Sequence, residues 1–331
     1  MSSISGLKKA DGQRLSLTLA ALCGPATLGL NFAARSPSPL IRRILDATFS
    51  LVTSPYRGDA QMRELTLDVP GGPAIPARLY EPDGVGPDAG LLVFMHGGGF
   101  VLGSLASHAN LCRFTAKRAG CKVLAVGYRK APEHRFPAAL EDSVAAFRWA
   151  VAHAGELGVD PSRIATGGDS AGGNLAAGVA LELSPDEPGP CFTWLIYPLV
   201  DADVAAWPSA QLFARGPLLS RGNAIDMLSH YAPDPSAKRD PRLSLLDANG
   251  LDRMPPTYVA TAGMDPLRDQ GERFAEGLRA AGVAVQCDRF ANLPHGFDLL
   301  LIDPQARRAT EATCAALARG LAAPVAVAQA V

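Results

Sequence analysis

The sequence of 331 residues lacks the cysteine spacings that build metal sites or disulfide frameworks. Its six cysteines form no C-x-x-C pair, and most of them lie in apolar or helical stretches. Cysteines of this kind behave as small hydrophobic residues in a reducing compartment. We therefore expect neither a disulfide framework nor a zinc site.

Strong charge of either sign is also absent. The chain has 31 basic and 32 acidic side chains, a formal net charge of −1, and arginines that are scattered rather than clustered. Nucleic acids and anionic lipid surfaces are bound through clustered basic residues. The composition therefore predicts a protein without a nucleic-acid partner.

The N-terminal part contains no complete targeting signal. Basic residues precede the apolar stretch LSLTLAALCGPATLGL, but Ser16 and Thr18 interrupt it, a Gly-Pro pair breaks it, and no suitable cleavage site follows. The stretch is also too short to cross a membrane. We predict a cytoplasmic protein without a membrane span, and helical segments within residues 15–54 that Pro25 and the SPSP segment separate.

Apolar, strand-length runs alternate with helical segments along most of the chain. Two alternating runs, RELTLDV and IPARLYE, come first and predict an antiparallel start to a sheet. Six further apolar runs follow, with helix-period segments between them. Because continuous apolar strands that alternate with helices are typical of covered parallel sheets, we predict an α/β fold. Its sheet is expected to be eight-stranded, mostly parallel and flanked by helices.

One interval breaks this alternation. Between IYPLVD and PTYVATAG lie over fifty residues that contain many prolines and a short helix near NAIDMLSHY. The interval is too long for a simple crossover and too structured for a linker. We interpret residues 201–240 as an insertion that folds over one end of the sheet. The remaining predicted parts are N-terminal helices in 1–55, two halves of the α/β domain in 56–200 and 241–320, and a frayed tail in 321–331.

A G-x-S-x-G pattern spans positions 168–172, between a predicted strand and a predicted helix. A sharp turn there would lift the oxygen of Ser170 above the sheet, and the helix N-terminus would favour developing negative charge. The alternative is a serine that only caps the helix after a glycine-rich turn. We interpret Ser170 as a candidate nucleophile.

A serine nucleophile needs a general base to take its proton. His295 follows the last predicted strand, in a turn before a helix. The only other histidine after Ser170 is His230, which lies in the insertion, where a packing role is the default. His295 is therefore the favoured base.

The imidazole in turn needs a carboxylate that fixes its tautomer. Asp265 directly follows a predicted strand, in an Asp-Pro loop. Asp269 falls within the next predicted helix, and Asp288 lies within the last strand, where its side chain would face sideways. Asp265 is therefore the favoured acid, and the order serine, acid, histidine is a known one for such sites.

Three consecutive glycines follow His96 at the end of an early apolar strand. Backbone amides that stabilise a reaction's oxyanion are typically worth about 2.7–4 kcal/mol each. The amide after the nucleophile, that of Ala171, is one candidate donor, and a glycine loop supplies others. A phosphate-binding loop is the alternative, but HGGGF lacks the G-K-[ST] ending and the G-x-G-x-x-G spacing.

The motifs HGGGF, YRKAPEHRFPAALED, GGDSAGGNLA, DPLRD and HGF occur together in a characteristic order. In this the sequence resembles the bacterial hormone-sensitive-lipase-like carboxylesterases of the α/β-hydrolase fold, from about Glu64 to the last helix. The resemblance implies a catalytic triad, an oxyanion hole and a helical cap over the site. The triad would comprise Ser170, Asp265 and His295, and the oxyanion hole Gly97, Gly98, Gly99 and Ala171, with Gly97 shaping the loop.

The resemblance also implies an activity. Such enzymes hydrolyse short- to medium-chain acyl esters without a cofactor, and some form dimers, so a small-molecule ester substrate and a homodimer are expected. A neutral histidine base predicts activity that rises with pH through roughly 6–7. The alternative is a non-catalytic small-molecule receptor on the same fold, against which the presence of His295 weighs. We expect acyl preference to depend on cap residues, among them Leu30, Phe32, Trp207 and Phe213.

Three positions depart from the family pattern. Lys130 stands where the family usually has leucine, and Gln270 stands where an acidic residue is common. Asn292 stands where glycine is frequent. Asparagine also tolerates a left-handed backbone. We expect these departures to change loop details and not the reaction.

Overall fold

A sheet of eight strands forms the centre of the computed structural model, which describes residues 12–52 and 60–322. The strands are β1 (Gln61–Leu67), β2 (Ile75–Glu81), β3 (Ala89–Met95), β4 (Lys122–Val126), β5 (Val159–Asp169), β6 (Thr193–Ile196), β7 (Thr257–Met264) and β8 (Val285–Pro294). Their order across the sheet is β1-β2-β4-β3-β5-β6-β7-β8.

The first two strands run antiparallel to their neighbours, and the other pairs are parallel. In the β1–β2 pair Glu64 lies opposite Arg78, and their side chains form an ion pair at 2.9 Å. The antiparallel start and the α/β class with an eight-stranded, mostly parallel sheet are confirmed.

Helices cover both faces of this sheet. The α-helices of the described residues are α1 (Leu17–Arg35), α2 (Pro39–Val52), α3 (Ala109–Ala119), α4 (Ala138–Ala152), α5 (Ala154–Leu157), α6 (Ala171–Glu182), α7 (Pro208–Leu212), α8 (Arg221–Tyr231), α9 (Pro235–Lys238), α10 (Arg268–Ala280) and α11 (Pro304–Ala322). Short 3₁₀ turns span Val204–Ala206, Leu245–Asp247, Leu251–Arg253 and Phe297–Leu299.

The core divides into two large clusters because successive strand residues point to opposite faces. In β3, Leu91 and Val93 join the cluster that includes α4, α6 and α10. Leu92 and Phe94 join the cluster that includes α3 and α11. Every residue of β3 is buried, as expected for a strand with helices on both sides.

Pro25 lies inside α1, so the predicted break at this residue is wrong. An internal proline typically costs a helix about 3 kcal/mol, because it removes one hydrogen bond and crowds a carbonyl. Contacts at the start of the helix and two residues beyond the proline offset this cost. The Ser16 side chain accepts from the Leu19 amide, and the Thr27 hydroxyl accepts from the Leu218 amide in the insertion.

Because Pro25 does not interrupt it, α1 has 19 residues and is long and apolar enough to cross a membrane by length and composition. The prediction that this stretch is too short for a span is therefore wrong. The length and apolar composition of α1 are only weak evidence for a membrane span, since buried helices of soluble proteins and signal sequences meet the same criteria.

The N-terminal helices and the insertion lie together above the carboxyl ends of the parallel strands. Helix α1 packs against α8, and Nε2 of His230 lies 3.1 Å from the carbonyl oxygen of Ala34. Helix α8 begins with a capping box in which the side chains of Ser220 and Asn223 bond each other's backbone amides. These elements form the roof of the cavity described below. The exact limits of the domains predicted from the sequence stay predictions.

The predicted frayed tail is wrong at its first two positions. Leu321 and Ala322 belong to α11, and the buried Leu321 side chain packs against Gly90. The rest of that segment, 323–331, lies outside the described residues, as do residues 1–11 and 53–55 of the predicted N-terminal part and residues 56–59 of the next part.

Candidate active site

Ser170 forms the turn between β5 and α6. Its φ of +56° and ψ of −118° place it in a conformation that residues other than glycine rarely adopt. The Ser170 amide donates to the carbonyl of Ile196 at 2.8 Å, which ties the turn to β6. Two residues later, a Cβ on Gly172 would collide with the Met95 carbonyl oxygen. The small residues of G-x-S-x-G therefore let the helix start directly behind the serine.

A hydrogen-bond path joins Ser170, His295 and Asp265. Nε2 of His295 lies 2.9 Å from the Ser170 Oγ, and Nδ1 lies 2.7 Å from Oδ2 of Asp265. The other Asp265 oxygen accepts from the Leu267 amide at 2.8 Å. Because the carboxylate can only accept from Nδ1–H, Nε2 is left free to take a proton from the serine.

The other candidates from the sequence lie elsewhere. Asp269 accepts from the Ser209 amide at 2.8 Å and so braces the insertion, and Asp288 accepts from the Tyr258 hydroxyl at 3.0 Å. His230 bonds α1, as described above. The structure therefore brings Asp265 to His295 and keeps the two alternative carboxylates away.

The four candidate oxyanion-hole residues are not equivalent. The amide of Gly97 donates to Oδ1 of Asp169 at 2.8 Å, so it has a partner within the protein. Within residues 12–52 and 60–322, the amides of Gly98, Gly99 and Ala171 have no acceptor. The Gly97 amide is therefore occupied within the loop, whereas the other three amides have no acceptor among the described residues.

Backbone geometry explains why the next two loop positions are glycine. Gly98 has a φ of +120° and Gly99 a φ of +63°. A Cβ on Gly98 would collide with the carbonyl of Leu102, and one on Gly99 would collide with Met227. A side chain at either position would therefore deform the loop.

Two buried histidines lie beneath this loop. Nε2 of His108 lies 3.4 Å from the Asp169 carboxylate, and Nδ1 of His96 lies 2.8 Å from the Gly97 carbonyl oxygen. Burial, together with the charge of Lys130, holds the pKa of His96 well below its usual value. Burial also lowers the pKa of His108, but the Asp169 carboxylate outweighs this effect and raises it. The Asp169 carboxylate therefore favours the charged form of His108.

Sequence reasoning missed a second pair of polar residues next to the triad. The centroids of the Tyr197 and His295 rings lie 4.5 Å apart. The Tyr197 hydroxyl donates a hydrogen bond to Oδ1 of Asp298. Burial, reinforced by the charge of Asp169, raises the pKa of Asp298 to about 7. The available signal was one acidic residue within the otherwise apolar run after HGF.

The serine opens on a cavity of about 90 Å³ with mostly apolar walls. Seven apolar side chains form much of these walls: Leu30, Leu45, Leu102, Leu218, Leu219, Met227 and Leu299. Helices α1 and α2, the insertion and the turn after His295 all contribute to this set.

Of the four cap residues expected to shape the pocket, only Leu30 lines this cavity. Phe32 is 65% exposed, because two residues along a helix turn a side chain by roughly 200°. Trp207 donates through Nε1 to Asp201 at 2.8 Å, and Phe213 lies beneath the guanidinium of Arg268. The expectation for these three aromatic residues is therefore wrong.

The three departures from the family pattern are accommodated locally. The ammonium group of Lys130 donates to the carbonyl of Gly103, behind the glycine loop. The Gln270 side-chain oxygen accepts from the amides of Val200 and Asp201 at 2.7 and 2.9 Å. Asn292 lies in β8 without a positive φ, so its tolerance of a left-handed backbone is not used.

The described residues contain no group of three or more His, Cys, Asp or Glu side chains that could hold a metal ion.

Comparisons with known proteins agree with this architecture. A family model described as alpha/beta hydrolase fold matches residues 92–299. The chain is 48% identical to the carboxylic ester hydrolase LipN of Mycobacterium tuberculosis over 241 residues, which cover 70% of this chain and 63% of LipN. It is 41% identical to the carboxylesterase NlhH of the same species over 269 residues, 80% of this chain and 84% of NlhH.

Solved structures show the same relationship. A thermostable esterase from Pseudomonas putida ECU1011 superposes with a TM-score of 0.86 at 29% identity, covering 95% of this chain and 99% of that one. The ester hydrolase EH1AB1 from the metagenome of Lake Arreo superposes with a TM-score of 0.85 at 32% identity. The match covers 93% of this chain and 100% of that one. The chain therefore belongs to the α/β-hydrolase family, among the hormone-sensitive-lipase-like carboxylic ester hydrolases.

Proposed function

We propose that this enzyme hydrolyses short- to medium-chain carboxylic esters through a covalent acyl-enzyme on Ser170. The observation that carries the proposal is the hydrogen-bond path from the Ser170 hydroxyl through His295 to Asp265, with steps of 2.9 and 2.7 Å. A serine hydroxyl attacks an ester only when a base takes its proton, and this path supplies the base and its orienting carboxylate.

In the first half of the reaction, the Ser170 Oγ attacks the ester carbonyl carbon while Nε2 of His295 takes the hydroxyl proton. The carbonyl π-bond opens and its electron pair moves to the oxygen. When this intermediate collapses, the ester C–O bond breaks and the leaving alcohol takes the proton from His295. Asp265 stays ionised and stabilises the imidazolium.

In the second half, water repeats the attack on the acyl-enzyme. His295 takes a proton from water as the oxygen bonds to the acyl carbon, and then returns it to Oγ as the ester bond to Ser170 breaks. A carboxylic acid leaves and the free enzyme is restored. The sequence of steps needs no redox change and no group from outside the chain other than water.

The negative oxygen in both halves would be bound by the amides of Gly98, Gly99 and Ala171. Such donors are typically worth about 2.7–4 kcal/mol each, because they are oriented before charge develops. Ala171 also begins α6, where the helix dipole favours negative charge. The absence of acceptors for these amides in the described part of the chain supports this assignment.

The size of the cavity supports small acyl groups. About 90 Å³ enclosed by leucine and methionine side chains suits a short alkyl chain better than a long one. A relative from Pseudomonas putida that is 38% identical over 260 residues is named ethyl acetate hydrolase. We therefore place acetyl to butyryl esters at the centre of the substrate range.

The test is hydrolysis of p-nitrophenyl acetate by variants of the three residues. Ser170→Ala, His295→Gln and Asp265→Asn should each lower kcat about 10³-fold or more. The matched controls His230→Gln and Asp288→Asn change the rejected candidates and should stay within about twofold of the wild type.

Labelling with a fluorophosphonate probe separates this proposal from the receptor alternative. The wild type should be labelled on Ser170 and hydrolyse the ester. A folded wild type that is neither labelled nor active would favour a non-catalytic receptor. A Ser170→Ala variant that kept most of the activity would rule out the acyl-enzyme. A homodimer, a cytoplasmic location and the lack of a membrane span stay predictions.

A further inference from the structure

A buried tyrosine packs against the imidazole ring of His295. Tyr197 follows β6, and its ring packs beside the imidazole at 4.5 Å between centroids, with an angle of 52° between the planes. On another side the ring meets Phe297 edge-on at 5.3 Å. Because Tyr197 is enclosed, a shift of its ring would displace the imidazole.

A carboxylate fixes that tyrosine. The Tyr197 hydroxyl donates to Oδ1 of Asp298, three residues after His295. The Tyr197 backbone is also held, since its amide donates to the Ala260 carbonyl at 2.6 Å and its φ is +36°. Among the described residues, Asp298 is the hydrogen-bond partner of the phenol. The hydroxyl end of the ring is therefore held by this one polar contact.

Asp298 lowers the stability of the fold more than an apolar residue that only filled the same space would. It is fully buried, and its Oδ2 has no hydrogen-bond partner among the described residues. An unpaired buried polar group destabilises the folded state, a cost that an aliphatic side chain would avoid. The titratable groups that face Asp298 are Asp169, Tyr197, His108, His295, Cys112 and Cys314. Its surroundings thus include both the proposed general base and the carboxylate that holds Gly97.

We propose that Asp298 is a positioning residue for the general base: its hydrogen bond fixes the Tyr197 ring, and the ring keeps Nε2 of His295 directed at Ser170. The inference rests on the proposed role of His295. Asp298 acts through Tyr197 and contacts neither the cavity nor the reacting atoms.

Tyr197→Phe tests the contact while it keeps the ring. Loss of the hydroxyl should lower kcat about tenfold, because small displacements of a catalytic group are costly. KM should stay within about twofold, since Tyr197 does not line the cavity. The rate of fluorophosphonate labelling should fall by the same factor as kcat, because attack by Ser170 needs the same base.

Two substitutions of Asp298 separate its hydrogen bond from its charge. Asp298→Ala removes both and should match Tyr197→Phe in kcat and in labelling rate. Asp298→Asn keeps an acceptor oxygen, so kcat on the high-pH plateau should stay within about threefold of the wild type. Rescue of kcat by Asp298→Asn but not by Asp298→Ala would show that the hydrogen bond, and not the space that the side chain fills, positions the ring.

Tyr258→Phe is the matched control. Tyr258 is also buried and donates to a carboxylate, that of Asp288 at 3.0 Å, but it lies away from the triad. This variant should lose stability without a change in kcat or in the pH profile.

The proposal is wrong if folded Tyr197→Phe and Asp298→Ala keep the wild-type kcat, labelling rate and pH profile. If neither of these folds, a folded Asp298→Leu variant, which keeps the volume but has no acceptor, overturns the proposal when it retains the wild-type kcat and labelling rate. Failure of the proposed function is distinguishable, because it would abolish labelling of the wild type itself.

Discussion

The amide hydrogen of Gly97 is donated to the Asp169 carboxylate, with 2.8 Å between the nitrogen and Oδ1. The residue just before the candidate nucleophile thus holds the first residue of the glycine loop. His108, which lies 3.4 Å from the same carboxylate, holds Asp169 in turn. This arrangement ties the loop after β3 to the turn after β5, the two segments that carry the candidate oxyanion donors.

Asp169→Ala should therefore misplace the loop without removing a donor. We expect kcat/KM for p-nitrophenyl acetate to fall about tenfold to hundredfold, less than for loss of a donor itself. Asp160→Ala is the control, because Asp160 also accepts from a backbone amide, that of Ser162, on the same strand far from the site. Equal activity of the two variants would contradict this role of Asp169.

Gly98→Ala should damage the loop more severely. Its φ of +120° and the nearby Leu102 carbonyl leave no room for a Cβ, so the amide must move. We expect kcat to fall about 10²–10³-fold, the effect of losing one oxyanion donor. Gly84→Ala is the control for backbone strain, since Gly84 has a φ of +82° but open space around it. The assignment fails if Gly98→Ala retains a large share of the wild-type kcat.

The length of the acyl chain should be limited by α1. Each methylene that enters an apolar pocket gains about 0.8 kcal/mol, roughly fourfold in kcat/KM, until the space is filled. Leu30→Ala should enlarge the cavity and shift the optimum of a p-nitrophenyl ester series toward longer acids. Leu28→Ala, on the same helix but 71% exposed, should leave the series unchanged. If both variants show the same dependence of kcat/KM on acyl-chain length, α1 does not limit the length of the acyl chain.

The buried carboxyl of Asp298 should make stability depend on pH. Its folded-state pKa of about 7 lies above its ordinary value of 3.8, so the folded protein binds more protons than the unfolded chain between these values. The stabilising contribution is complete below about pH 4 and is lost as pH rises toward 7. His96 acts in the opposite direction, because its lowered pKa favours folding above about pH 6.5 and costs stability below it.

Comparison with Asp298→Asn isolates the aspartate, because the asparagine does not titrate. Between pH 5 and 8 the unfolding free energy of the wild type should fall by about 1–3 kcal/mol relative to that of the variant. Urea unfolding at several pH values measures this difference. A constant difference across the range would show that Asp298 does not change its protonation with folding.

The strands and helices of the α/β domain could be predicted because their signals are local. A buried strand such as β3 is an unbroken apolar run, and its alternating sides are determined by the period of two. The Pro25 prediction failed for the opposite reason. Whether a helix continues through a proline depends on distant contacts, here between Thr27 and Leu218, which local propensity does not contain.

The sequence by itself determined the fold, the family and the short list of candidate residues, because strand periodicity, glycine requirements and the order of the motifs are properties of neighbouring positions. Tertiary structure alone decided which of these groups meet. It joined His295 to Asp265 rather than to Asp288, and it placed Tyr197 against Asp298. Residues separated by 101 positions come into contact only through the packing of the whole sheet, and no local pattern records the distance between them.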